Sequence, residues 1–203
     1  AEKGMHRPAA FAPFTCRKLG MIGAGMMGGG IALIAAQRGI RVVLIDRDQA
    51  AAERGKGHAE KVLKRLIEKG RSTQAKADAI LALITPATDY ELLRDSDMVV
   101  EAVFEDRAIK AEVTRRLDAV LPAHCVLASN TSALPITLLA QATIRPERFI
   151  GLHFFSPADR MPLVEVIRGQ KTSDATLAQA LDFIAQLKKI FFFVKENSVF
   201  FTS

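Results

Sequence analysis

The sequence has no tryptophan, a single tyrosine and only two cysteines among its 203 residues. So few large aromatics leave little material for stacking nucleic-acid bases, and no tight lysine and arginine cluster makes up for it. No nucleic-acid partner is expected. Cys16 and Cys125 have neither metal-ligand nor disulfide spacing, so no metal site is expected and a reducing compartment fits. Cys125 lies in an apolar run and reads as a small core residue. No stretch reaches the ~20 apolar residues of a membrane span. The opening Ala1-Glu2-Lys3-Gly4 lacks both an initiator methionine and a signal-peptide pattern. Residues 1–17 carry Pro8 and Pro13 without periodicity and read as a linker or arm, as in a piece of something longer. There is no low-complexity tract.

What is present is an ordinary globular composition, 49% hydrophobic and 25% charged. The net charge of +6 suits an acidic ligand such as a nucleotide, and equally a solvated basic surface. The most informative stretch runs from Lys18 to Asp46. A short apolar strand leads into Gly23-Ala24-Gly25-Met26-Met27-Gly28, then a helical run, a stop at Gly39 and a second strand, Arg41 to Ile45. This strand, glycine turn, helix, strand and acid unit binds a dinucleotide. Gly23 permits a tight strand exit, Gly25 lets a pyrophosphate approach, and Gly28 allows close helix packing. The helix start, with Met26 and Met27, offers unpaired N–H groups to phosphate. Asp46, at the second strand's end, suits the ribose hydroxyls and repels a 2′-phosphate, favouring NAD; Arg47 weakens that preference slightly. Gly28-Gly29-Gly30 opens a helix with poor helix formers, a local conflict that points to function.

The remaining chain alternates strands and helices. A helix is expected over Gln49 to Lys69, and a shorter one capped by Ser72 or Thr73 runs to Leu83. An edge-like strand follows at Ile84 to Thr88, then a strand at Asp97 to Val103 and a helix to Leu121. Cys125 to Ala128 is a fifth strand, with a short helix at Ile136–Ala140. Arg148 to His153 is a sixth strand, joined by the loop Pro157 to Pro162 to Leu163–Ile167. Asp174 caps a helix through Lys188, and Phe191 to Val194 is a last strand. This pattern implies an α/β, Rossmann-type, doubly wound and mainly parallel sheet with flanking helices, residues 18–203 forming one domain.

Ligands of such sheets sit at the strands' carboxyl ends. His153, at the end of the sixth strand, is the candidate general base. Glu165 can bond its far ring nitrogen if the proline loop sets the two strands side by side. A lone strand-end histidine is more often structural, but the nearby carboxylate and the dinucleotide fold reverse those odds. His6, His58 and His124 lack such a context and read as surface or loop residues. Ser132 can bond a substrate oxygen and Asn130 the nicotinamide ribose or amide; spacing leaves these level with a plain polar turn. Glu105 and Lys110 can meet across one helical turn, where the residues alone favour a surface ion pair.

Gly23 to Gly28, Glu101-Ala102-Val103-Phe104-Glu105-Asp106, Ser129-Asn130-Thr131-Ser132, Gly151 to Pro157 and Leu163-Val164-Glu165-Val166 occur in this order. Together they resemble the NAD-binding domain of L-3-hydroxyacyl-CoA dehydrogenase over roughly residues 17–203. The resemblance implies His153 as base, Glu165 as its partner and Ser132 at the substrate 3-oxygen. It also implies Asp46, Glu105, Lys110 and Asn130 at the NAD site. The implied reaction oxidises a 3-hydroxyacyl-CoA to the 3-ketoacyl-CoA in fatty-acid β-oxidation, with acyl-CoA as substrate. Ser203 takes the place of an asparagine found in many members, a Phe-Phe-Thr-Ser ending typical of multifunctional β-oxidation enzymes. Val199 stands where glycine is expected. The family's helical C-terminal domain, which covers the substrate and makes the dimer, is not in this sequence. The phenylalanine-rich stretch Ile190 to Phe201 is expected to pack against it, or to favour a homo-oligomer. A bacterial cytoplasm is expected ahead of a mitochondrion or peroxisome. The alternatives are a stand-alone 3-hydroxybutyryl-CoA dehydrogenase and a non-catalytic NAD-binding or interaction module.

Overall fold

The computed structural model describes residues 6–196. Its centre is the strand β1 (Lys18–Ile22), buried except at its first residue. Helix α1 (Met26–Ala36) follows and returns the chain to β2 (Arg41–Ile45), which lies parallel to β1. Apolar residues ring α1 on nearly all sides because it is sandwiched between the sheet and α2 (Gln49–Glu68). The α1–α2 crossing is close. A Cβ on Gly29 would stand 2.6 Å from the Gly55 carbonyl oxygen. The glycine run at the head of α1 is therefore partly a packing device, and Gly29 serves the helix crossing rather than the ligand.

Helix α3 (Gln74–Ala82) is capped by the Thr73 hydroxyl, which accepts from the Lys76 N–H at 3.2 Å. The edge strand β3 (Ile84–Ala87) pairs with β2. The chain then crosses to the other side of β1. β4 (Met98–Glu101), α4 (Arg107–Asp118), β5 (Val126–Ser129), the short α5 (Ile136–Leu139) and β6 (Phe149–Phe154) extend the sheet. The expected strand at 97–103 thus ends at Glu101, where its carboxylate is already engaged in the site described below. β7 (Leu163–Ile167) lies antiparallel to β6, and β8 (Ile190–Phe193) closes the described sheet. The strand order is β3-β2-β1-β4-β5-β6-β7-β8. It is a doubly wound sheet, parallel except at the β6–β7 pair.

Helix α6 (Asp174–Gln186) starts one residue earlier than a cap at Asp174 would require. Ser173 is the cap, its hydroxyl accepting from the Thr176 N–H at 3.1 Å. The helix stops short of Lys188, which adopts a left-handed φ of 58° and turns the chain into β8. Residues 6–17 form neither helix nor strand, yet they are held down. The Arg7 guanidinium donates to Asp182 at 2.7 and 2.9 Å, and the Phe14 N–H donates to the same carboxylate at 2.9 Å. One helical turn on, Gln186 accepts from the Cys16 N–H at 3.0 Å and donates to the Cys16 carbonyl at 2.9 Å. Cys16 is buried beneath this clamp. Cys125 is also buried, which pushes its thiol up to about 12. Among the described residues no helix is long and apolar enough to cross a membrane.

Candidate active site

Strand order reverses between β1 and β4, the switch point at which such sheets bind ligands. A groove of about 680 Å³ opens there, lined by Gly23, Gly25, Asp46, Arg47, Tyr90 and Val103 among others. Gly23 has a φ of 97°, which a side chain would strain. A Cβ at Gly28 would lie 1.7 Å from the Gly23 carbonyl oxygen, so this glycine is demanded by the turn itself. A Cβ at Gly25 would meet nothing within 4 Å. Gly25 borders open space at a helix N-terminus, where a pyrophosphate fits. Asp46 ends β2 with one carboxylate oxygen on the Ala24 N–H at 2.8 Å and the other on the Arg47 N–H at 2.7 Å. A carboxylate fixed between the glycine turn and the groove suits the ribose of NAD. Arg47 is exposed beside it.

Neither methionine side chain lines the groove. Met27 packs against the core, and Met26 faces a second pocket of about 370 Å³ shared with His58, Arg65 and Ser156. Sequence reasoning passed over Tyr90 and Arg116, which shape the groove together. The guanidinium carbon of Arg116 stands 3.9 Å from the centre of the Tyr90 ring. Tyr90 is the chain's lone tyrosine, and that was the available signal.

Glu105, Lys110 and Asn130 lie outside the groove lining, along the β4–β5 rim. Lys110 is not part of a surface pair: it is 1% exposed. Its ammonium donates to Glu101 Oε2 at 2.7 Å and to the Val103 carbonyl at 3.2 Å, and lies 3.4 Å from Glu105. Glu101, an unforeseen member of the site, also accepts from the Ser129 hydroxyl at 2.7 Å and the Val103 N–H at 2.9 Å. Glu105 accepts from the Thr131 hydroxyl and from the Ser132 and Ala133 N–H groups. Partial burial pushes the Glu105 carboxyl up, but the Thr131 bond and the Lys110 charge outweigh it and hold it below its usual range. Asn130 is half committed, its side-chain oxygen accepting from the Phe154 N–H at 2.7 Å, which leaves its amide group for a ligand. Ser132 is exposed on the turn between them.

Further along the same rim, register pairs His153 with Glu165 across the antiparallel strands. His153 Nδ1 and Glu165 Oε2 are 2.8 Å apart, and the side chains are 19% and 25% exposed. The Phe155 ring flanks the imidazole at 4.9 Å between centroids. Strand alternation puts Leu163, Ile190 and Phe192 on this same face, and all three are exposed. Lys189 pins the connecting loop, donating to the Ala158 and Met161 carbonyls at 2.7 and 2.8 Å. Ser203 and Val199 lie outside the described residues.

A parallel doubly wound sheet, a glycine turn facing a ribose-binding acid and a histidine–carboxylate pair at the same rim define a nicotinamide-dependent dehydrogenase domain. Residues 18–197 match the family "3-hydroxyacyl-CoA dehydrogenase, NAD binding domain", and the chain belongs to it. It is 41% identical over 170 residues to a fatty acid oxidation complex subunit alpha from Psychrobacter arcticus. That match covers 84% of this chain and 24% of the relative, so the chain spans about a quarter of the relative's length. Among solved structures it resembles (S)-3-hydroxybutyryl-CoA dehydrogenase from Ralstonia eutropha, at TM-score 0.85 and 40% identity, covering 90% of this chain and 65% of that one. It also resembles FadB2 from M. tuberculosis, at TM-score 0.88 and 38% identity, covering 93% and 67%.

Proposed function

We propose that this domain is the cofactor half of an NAD-dependent L-3-hydroxyacyl-CoA dehydrogenase from a multifunctional β-oxidation protein. The observation that carries the reading is the 2.8 Å contact between His153 Nδ1 and Glu165 at the sheet's carboxyl rim. When bound, NAD supplies the hydride acceptor. The glycine turn and Asp46 would hold its adenosine and pyrophosphate, and Glu105, Lys110 and the Asn130 amide would stand beside the nicotinamide half. A bond from Nδ1–H to Glu165 leaves Nε2 bare, so His153 accepts the substrate hydroxyl proton there as C3 gives up its hydride. Glu165 stabilises the imidazolium that results. Ser132 orients the 3-oxygen, and Ser203 belongs to the same substrate region in this reading.

Leu163, Ile190 and Phe192 form an exposed apolar strip beside the base, which supports a further helical domain closing over the acyl-CoA and a homo-oligomer built through it. Buried, free Cys16 and Cys125 accord with a reducing bacterial cytoplasm. The test is acetoacetyl-CoA reduction by the full-length protein. His153→Ala should abolish turnover and keep NADH binding, and unchanged turnover would overturn the assignment.

A further inference from the structure

We propose that Glu101 is a positioning residue for the cofactor site, acting through Lys110 on Glu105 and the turn that carries Ser132. This rests on the dehydrogenase reading above. The Glu101 and Lys110 side chains are 3% and 2% exposed, and taking two such ions out of water carries a large desolvation cost. Apolar side chains of similar volume commonly serve a fold as well as a buried ion pair does, which turns attention from stability to what the pair positions. The direction of the network answers this. Glu101 takes three donors, from Lys110, Ser129 and Val103, and so fixes the ammonium at the carboxyl end of β4. That ammonium faces Glu105, whose side chain is 36% exposed at the rim.

Glu105 in turn gathers the Thr131 hydroxyl and the Ser132 and Ala133 N–H groups. The Glu101 backbone adds a second tie, its carbonyl accepting from the Asn130 N–H at 2.8 Å. Asn130 then holds the Phe154 N–H, next to the base. The Glu101 carboxylate therefore acts on the rim through Lys110 and Glu105, while the residue's backbone carbonyl holds Asn130. Removing the carboxylate would leave Lys110 free to pair fully with Glu105 and draw Glu105 off the turn.

The test is a double-mutant cycle in the full-length protein, read by NAD titration, kcat/KM and thermal midpoint. Glu101→Gln should weaken NAD binding and lower kcat/KM by roughly 10- to 100-fold, the range typical of groups that orient a ligand-binding side chain. Combined with Glu105→Gln, it should add less than about threefold to the loss from Glu105→Gln alone, because both act through one path. Losses that multiply, or wild-type binding by Glu101→Gln, would overturn the proposal. Ser129→Ala removes only one of Glu101's donors and keeps the charge pair, so it serves if Glu101→Gln fails to fold. It should weaken NAD binding in the wild-type background and have no effect beside Glu105→Gln. An equal effect in both backgrounds would refute the path.

Discussion

Replacing Glu165 with glutamine keeps the side chain's size and removes its charge. The pair it breaks is 2.8 Å long, with about a fifth to a quarter of each side chain exposed. Partial solvent access screens the charge, so a hydrogen bond to an ion of roughly 1.5–3 kcal/mol is the appropriate scale. Because the imidazolium develops during hydroxyl oxidation, that energy is felt in the barrier. At about 1.4 kcal/mol per tenfold in rate, kcat should fall by roughly 10- to 150-fold. The glutamine amide can also donate to Nδ1 and so favour a proton on Nε2, the tautomer unable to act as base. The assay follows NADH formation from 3-hydroxybutyryl-CoA and NAD in the full-length protein, the oxidation direction, alongside an NADH titration. NADH affinity should hold, since Glu165 pairs with β6 and β8 and does not line the groove. A kcat within about threefold of wild type, or a loss expressed wholly in NADH affinity, would refute the reasoning.

The glycine turn gives a contrast within one motif. Gly25→Ala meets nothing in the protein and should shift stability by no more than ~0.5 kcal/mol, while weakening NAD binding at least about tenfold. Gly28→Ala drives a methyl into the Gly23 carbonyl and should lower the thermal midpoint together with binding. Glu105 is held below the usual carboxylate range, so its contribution to ordering the 131–133 turn is complete above the unfolded value near ~4.3 and fades as pH falls through the lowered folded one. Thr131→Val should bring that titration back up, which a carboxyl NMR titration would read. Asp182 is held low by the Arg7 guanidinium, against partial burial. Docking of residues 6–17 should therefore persist at neutral pH and loosen only in acid, and Asp182→Asn should loosen it at neutral pH, measured by amide exchange at Phe14 and Cys16.

The dinucleotide unit was legible because its constraints are local: glycines at 23, 25 and 28, and an acid closing the next strand. The His153–Glu165 pair was legible because a proline-bounded loop implied neighbouring strands. The residues alone favoured a surface ion pair for Lys110, and only the resemblance moved it to the cofactor site, although a signal of its burial was present. Lys110, Val113, Thr114 and Leu117 recur at helical spacing and form the buried face of α4. A charge on an apolar stripe announces a buried partner, and Glu101 at the end of an apolar strand was that partner. The docking of the N-terminal arm could not be read, since Arg7 and Asp182 are 175 residues apart and no periodicity links them.

The antiparallel step at β7 has a consequence for how this site can change. Because His153 and Glu165 meet as cross-strand neighbours, the loop between them can lengthen or shorten while the two stay opposed, so long as the Lys189 anchor is kept. A single residue inserted inside β7, between Leu163 and Val164, would instead turn the acid onto the opposite, buried face and present Val164 to the imidazole. Variation can therefore remodel the loop beside the pair freely, but the strand that follows must keep its parity.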